Sequence, residues 1–123
     1  MTDAAHPEIR HVGAVTIVAL GPEYDSLDGE ILDSVRELLL AAVDAADPPR
    51  LVVDLSHTKF MGSSFIQVLF AAWEALKRKG QAKLALAGMT NYCEEVIQIT
   101  HLNQVWPLFA DSQLAVKALS PKK

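Results

Sequence analysis

Two adjacent hydroxyl groups, on Ser63 and Ser64, are the feature of this sequence that most directly suggests chemistry. The serines follow an apolar run at 51–55 and a short polar turn, and they open an amphipathic segment that predicts a helix. The free N–H groups and the positive dipole end of a helix N-terminus favour an anion. We therefore expect that one serine either caps the helix or accepts a phosphate that a partner protein reads.

The patterns that usually accompany catalysis, metal binding or nucleotide binding do not occur in the sequence. The four histidines stand singly, without HExxH spacing, and no GxGxxG or GxxxxGK[ST] loop follows a predicted strand. A GxSxG nucleophile elbow is also missing, because Gly62 is followed by Ser63, Ser64 and Phe65. Cys93 has no CxxC partner and is interpreted as a small buried residue. We expect no catalytic residues, no metal site and no cofactor.

Length and composition favour one globular domain spanning residues 1–123, with flexible ends at 1–7 and 120–123. The net charge of -4 and the lack of a basic stripe argue against nucleic-acid binding. No apolar run is long enough to predict membrane insertion, and the polar N-terminus does not resemble a signal peptide. A single cysteine fits a reducing cytoplasm.

Apolar runs of strand length alternate with helical periodicity along the chain. Strands are predicted at 8–11, 14–20, 51–55, 82–87 and 105–109, and helices at 27–46, 64–79, 91–100 and 111–119. Strands separated by helices pair in parallel through right-handed crossovers. The pattern predicts an α/β fold with a mostly parallel sheet of four or five strands and about four helices, and the first two strands can form an antiparallel hairpin.

The segment DLSHTKFMGSSFIQVLFAAWEALKRKG, followed by the strand KLALAG, resembles the STAS domains of bacterial anti-sigma factor antagonists. The resemblance extends over nearly the whole chain and is sharpest over 54–80. It implies a non-enzymatic switch protein. The unphosphorylated form of such a protein binds an anti-sigma factor that has serine kinase activity, phosphorylation of a serine releases this partner, and a serine phosphatase resets the switch.

The resemblance also assigns residues. Ser63 matches the phosphoacceptor of the family, with Ser64 as the second choice, while Gly62 stands in place of the usual acidic residue and Phe65 in place of the usual glycine. Partner contacts are expected at Gly62, Phe65 and two further loops that follow strands at the same end of the sheet. Those loops are the turn Tyr24, Asp25 and Ser26 and the loop Gly88, Met89 and Thr90.

Two other functions remain open from the sequence. The chain can act as a STAS scaffold or accessory subunit that does not switch, in a stress-signalling assembly or a lipid-trafficking ABC transporter. It can also sense a nucleotide or another small ligand at the carboxyl edge of the sheet. Self-association into a homodimer through apolar area on the second predicted helix is left open as well.

Overall fold

A computed structural model describes residues 8–20, 26–27 and 29–120 of the chain. The flexibility expected at 1–7 and 121–123, and the partner contacts expected at Tyr24 and Asp25, lie outside the described residues. Ser120 is described, and its hydroxyl donates a hydrogen bond of 2.7 Å to the Val116 carbonyl.

Strands and helices alternate along the described chain after an initial β-hairpin. The strands are β1 (Glu8–Val12), β2 (Val15–Ala19), β3 (Ser26–Leu27), β4 (Arg50–Asp54), β5 (Phe60–Met61), β6 (Lys83–Ala87) and β7 (Leu108–Phe109). The helices are α1 (Ile31–Ala45), α2 (Ser63–Lys77), α3 (Asn91–Ile99) and α4 (Ser112–Leu119), with a 3-10 turn at Leu102–Gln104.

The main sheet has five strands in the order β1-β2-β4-β6-β7. β1 runs antiparallel to β2, and the other neighbours pair in parallel, with Val53 of β4 opposite Val18 of β2 and Leu86 of β6. The predicted α/β fold, with its mostly parallel five-stranded sheet, four helices and an initial hairpin, is therefore confirmed.

Alternate residues of the strands point to opposite faces of the sheet, and each face has its own core. Val18, Val53 and Leu86 pack in the larger core with α1, α2 and α3. Ile17, Val52 and Ala85 lie on the other face and pack with Ala115 and Leu119 of α4. Three helices thus cover one face and α4 covers the other.

Three predicted element boundaries were wrong because tertiary pairing and turns overrode the local pattern. Leu27, predicted to begin a helix, lies instead in β3 opposite Met61 of β5, and α1 begins at Ile31. Residues 105–107 are not a strand, because the N–H groups of Val105 and Trp106 both bond to the Leu102 carbonyl at 2.9 Å, which keeps this segment in the turn that follows α3.

The third wrong boundary is the end of α2. The helix ends at Lys77 and not at Lys79. Beyond it, the Lys79 ammonium donates to the carbonyls of Val43 at 2.7 Å and Ala46 at 2.6 Å, which lie at the end of α1. Lys79 therefore satisfies carbonyls that the last turn of a helix leaves unpaired, and it does so for α1 rather than for its own helix.

Candidate functional site

The carboxyl ends of the central strands meet at one edge of the sheet. The Leu55 N–H donates to the Ala87 carbonyl at 2.8 Å, and the Gly88 N–H donates to the Phe109 carbonyl at 3.1 Å. These bonds align the residues that follow β4, β6 and β7. Polar loops at such an edge form the usual ligand or partner site of a parallel sheet.

The turn between β5 and α2 presents the two serines at this end of the fold. Gly62 is the N-cap of α2 and has extended backbone dihedrals, with φ -104 and ψ -179. Ser63 and Ser64 are the first two helical residues, and both are exposed. Neither hydroxyl makes a hydrogen bond to any described residue, so the alternative in which one of them caps the helix is wrong.

The N–H groups at this helix start are also available. The Phe65 N–H bonds to the Gly62 carbonyl at 3.1 Å, which is the first turn of the helix. The N–H groups of Ser63 and Ser64 precede that bond, so they have no partner within the helix. Two free donors and two free hydroxyls at the positive end of a 15-residue helix form a position that tolerates added negative charge.

β3 brings a second predicted segment to the serine turn. Ser26 pairs with Phe60 and Leu27 pairs with Met61, in a two-stranded parallel ladder separate from the main sheet. The backbone of Ser26 therefore lies beside the strand that leads into Ser63. Sequence periodicity could not show this pairing, because each strand is only two residues long.

The loop after β6 is held close to the loop after β4. Gly88 has a φ of +74, and a Cβ atom there would approach the Ser56 hydroxyl to 2.5 Å and a carboxylate oxygen of Asp54 to 3.2 Å. The Asp54 carboxylate accepts hydrogen bonds from both the backbone N–H and the hydroxyl of Ser56. Only glycine combines this backbone conformation with this close approach.

The other two residues of that loop, for which partner contacts were predicted, already make contacts within the fold. The Thr90 hydroxyl caps α3 by accepting a hydrogen bond of 3.3 Å from the Cys93 N–H. Met89 is half-buried and packs against the larger core. The loop can offer a partner its backbone and part of these side chains.

The expected contact at Phe65 needs correction. Its side chain is fully buried in the core between α2 and the sheet. The third residue of α2 faces inward because Ser63 and Ser64 occupy the outward positions of the first turn. Phe65 therefore anchors the helix start and is not a surface for a partner.

Sequence reasoning missed a pair of aromatic side chains beside the serine turn. The rings of Phe60 and Tyr92 stack at a centroid distance of 5.9 Å and an interplanar angle of 19°, and both are exposed. The Phe60 ring also lies 3.9 Å from where a Cβ atom on Gly62 would be. Only the tertiary contact between β5 and α3 brings the two rings together, so spacing along the chain contained no signal for them.

Cys93 is buried, as predicted. Burial raises the pKa of its thiol above the ordinary value, and a hydrogen bond with Thr90 lowers the pKa by a smaller amount. A protonated, enclosed thiol is a poor nucleophile at neutral pH. Within 8–20, 26–27 and 29–120, no group of three or more His, Cys, Asp or Glu residues is arranged to hold a metal ion.

None of the described helices combines the length and the apolar character that crossing a membrane requires.

Comparisons with known proteins agree on the family. The model of the STAS domain family matches residues 6–115. A solved structure of an anti-sigma-factor antagonist (STAS) domain protein from Planctomyces limnophilus is 32% identical, with a TM-score of 0.84 over 94% of this chain and 98% of the other. A comparison with curated protein sequences found no match.

Two more distant structures share the fold. An anti-sigma factor antagonist from Mycobacterium paratuberculosis is 24% identical, with a TM-score of 0.79 over 92% of each chain. The Bacillus cell fate determinant SpoIIAA, in its phosphorylated form, is 16% identical, with a TM-score of 0.67 over 93% of this chain and 99% of the other. With the family model covering most of the sequence, the chain belongs to the STAS domain family.

Proposed function

We propose that this protein is a cytoplasmic, non-enzymatic anti-sigma factor antagonist. In its unphosphorylated form it binds an anti-sigma factor that has serine kinase activity. Phosphorylation of Ser63 releases that partner, and a serine phosphatase restores binding. The family of the chain and the anti-sigma factor antagonists among its structural relatives support this proposal.

The observation that carries the proposal is the state of the Ser63 hydroxyl. It is exposed, it has no hydrogen-bond partner among the described residues, and it stands at the first position of α2. A kinase can reach a hydroxyl of this kind without unfolding the helix. Ser64 is equally exposed and is the second candidate acceptor.

A phosphate at this position would act on the interface more than on the fold. It adds about 1.5 to 2 negative charges and three acceptor oxygens. At an exposed helix N-terminus that charge is favourable by roughly 0.3–1 kcal/mol, so the domain stays folded. A partner that covers the same turn would have to desolvate the charge, and that cost opposes binding.

Gly62, which replaces the acidic residue usual in the family, is compatible with this mechanism. Its backbone is extended, and the Phe60 ring is at an ordinary contact distance of 3.9 Å from the Cβ position. The glycine therefore leaves the approach to Ser63 open and adds no charge of its own. Recognition by the kinase then depends on the shape of the turn rather than on a neighbouring carboxylate.

The ligand-sensor alternative finds less support in the geometry of this edge. A cavity of about 190 Å³ is lined by Met89, Glu94, Leu108, Phe109 and Ala110. This volume is smaller than the roughly 300–1,000 Å³ of ordinary ligand pockets. A larger cavity of about 490 Å³, at the start of α3, is lined by both Glu94 and Glu95. The Glu94 carboxylate in its lining would also repel the phosphates of a nucleotide.

The test is phosphate transfer in a purified system. The protein is incubated with ATP and a candidate anti-sigma serine kinase encoded beside it, and the modified residue is located by mass spectrometry. We expect transfer to wild-type protein and to Ser64→Ala, and none to Ser63→Ala. Transfer to neither serine, with all three proteins folded, would refute the switch, and the scaffold alternative would then take its place.

A further inference from the structure

A cavity of about 310 Å³ opens at the edge of the main sheet, between α2 and α4. Its walls include the side chains of Trp73 from α2, Phe109 from β7 and Leu119 from α4. Lys83, the first residue of β6, contributes the only charged side chain among the described residues of the lining. The volume lies at the lower end of the roughly 300–1,000 Å³ of ordinary ligand pockets, which typically combine a mostly apolar wall with a few polar groups.

β6 has unpaired backbone groups beside this cavity. β7 is only two residues long, and its ladder with β6 begins at Leu86. Continued toward the amino end, the parallel ladder would bring the nitrogen of residue 107 to the Leu84 carbonyl, but Pro107 has no N–H to donate. The Leu84 N–H likewise has no acceptor among the described residues, whereas the Leu86 N–H bonds to the Pro107 carbonyl at 3.0 Å. Unpaired N–H groups on buried residues are rare, and this one, on a residue that lines the cavity, is available to a ligand.

Two cations stand side by side at this edge. Arg50 and Lys83 are direct neighbours in the parallel ladder between β4 and β6, so their side chains leave the same face of the sheet. The Arg50 guanidinium donates to the Leu119 carbonyl at 2.7 Å, at the end of α4 that borders the cavity. Neither cation has a carboxylate partner among the described residues. Like charges in opposed positions of a sheet destabilise it, and a bound anion offsets that repulsion.

Lys77 is a further cation near the cavity, and its charge is already balanced. Its ammonium lies 5.5 Å from the centroid of the Trp73 ring and 3.1 Å from the Glu74 carboxylate. A ligand anion is therefore attracted to Lys83 rather than to the Trp73 side of the cavity.

We propose that this cavity binds a small amphipathic carboxylate, such as a medium-chain fatty acid. Its carboxylate accepts hydrogen bonds from the Lys83 ammonium and the Leu84 N–H, and its hydrocarbon chain packs against Trp73, Phe109 and Leu119. An extended peptide suits this edge less well. Strand addition is held by a row of main-chain hydrogen bonds, and the unpaired groups identified here belong to Leu84 alone.

The inference is independent of the proposed function, because the cavity lies toward the amino ends of the strands, away from the serine turn. The test uses the purified full chain with octanoate as the probe. Octanol and acetate are the matched ligands, since octanol lacks the charge and acetate lacks the chain. Lys83→Gln removes the cation from the cavity, and Lys59→Gln, at an exposed residue just before β5, is its matched control. Isothermal titration calorimetry measures affinity, and NMR follows the backbone amide signals.

We expect octanoate to bind wild-type protein at one saturable site and to shift the Leu84 amide signal. Octanol should bind at least about fivefold more weakly, and acetate should show no saturable binding, because each lacks one part of the interaction. Lys83→Gln should lower octanoate affinity by about fivefold and leave octanol affinity unchanged, whereas Lys59→Gln should change neither. Both variants should melt within about 2 °C of wild type, since both lysines are exposed.

Three results would overturn the inference. The first is the absence of saturable octanoate binding to wild-type protein. The second is binding that leaves the Leu84 amide signal unshifted, because the ligand would then lie elsewhere. The third is equal octanoate affinity of Lys83→Gln and wild type, or equal affinity of wild type for octanol and octanoate, because the cavity would then select only for apolar surface.

Discussion

The N-termini of α2 and α3 lie at the same end of the fold, and they are built differently. α3 is capped by the Thr90 hydroxyl, which accepts from the Cys93 N–H at 3.3 Å. α4, on the other face of the sheet, is capped in the same way by Asp111, which accepts from the Leu114 N–H at 2.9 Å. α2 begins at Gly62, which has no side chain to offer, and the two hydroxyls that follow remain unbonded.

This difference separates hydroxyls that stabilise the fold from hydroxyls that are free for another use. A cap residue contributes about 1 kcal/mol by satisfying a helix N–H group. At α2 that contribution is missing although two serines are present, because they occupy the first helical positions rather than the cap. A site that leaves this stabilisation unused is consistent with a modification site whose occupant, a phosphate, would satisfy the same N–H groups.

The largest expected effect concerns partner binding at the uncapped helix. Ser63→Asp should lower the affinity for the anti-sigma kinase by about tenfold to a hundredfold, because a carboxylate must be desolvated at the interface. Its melting temperature should stay within about 2 °C of wild type, since the charge lies at a favourable helix end.

Ser63→Ala is the matched control, and it should bind the kinase as wild type does. A Ser63→Asp protein that melts far below wild type would show that residue 63 stabilises the fold and is not free for modification.

A smaller expected effect, on stability alone, tests whether α3 has a side-chain cap and α2 has none. Thr90→Ala should lower the free energy of unfolding by about 1 kcal/mol, because the Cys93 N–H loses its acceptor. Ser63→Ala and Ser64→Ala should each change it by less than about 0.5 kcal/mol, since their hydroxyls satisfy nothing. Urea denaturation followed by circular dichroism measures all three. If Thr90→Ala and Ser63→Ala lower the free energy of unfolding equally, a serine caps α2 in solution.

The smallest effect comes from installing the missing cap. Gly62→Asp should raise the free energy of unfolding by a few tenths of a kcal/mol, because aspartate is a better N-cap than glycine. The extended backbone and the 3.9 Å clearance to Phe60 allow the side chain. Gly62→Ala is the control and should lower stability, since alanine caps poorly. The same urea titration ranks the three proteins, and a Gly62→Asp protein less stable than Gly62→Ala would contradict the cap assignment.

The sheet and its helices were predictable because their hydrophobic patterns are long. The strands β4 and β6 were each indicated by a mostly apolar run of five or six residues, and the helix α2 by apolar residues at helical spacing. Predictions failed at 27 and at 105–107, where a two-residue strand pairing and a 3-10 turn carry too little periodicity to compete with neighbouring patterns.

Only part of the candidate site was predictable from the sequence. The local pattern identified Ser63 and Ser64 as hydroxyls at a helix start, and the structure shows both exposed. The stacking of Phe60 on Tyr92 and the contact of Phe70 with Trp106 join residues more than 30 positions apart. No pattern along the chain could indicate either contact.

The amino-acid sequence by itself determined the order of the five main-sheet strands and the four helices, and the presence of two serines at the start of α2, because periodicity and turn residues act over short distances. Only the tertiary structure decided that Gly62, not a serine, caps α2, that Phe65 turns into the core, and that the Phe60 ring stacks on Tyr92. Those outcomes depend on how β3, β5 and α3 pack beside α2. Packing is set by long-range contacts, which the order of residues along the chain does not display.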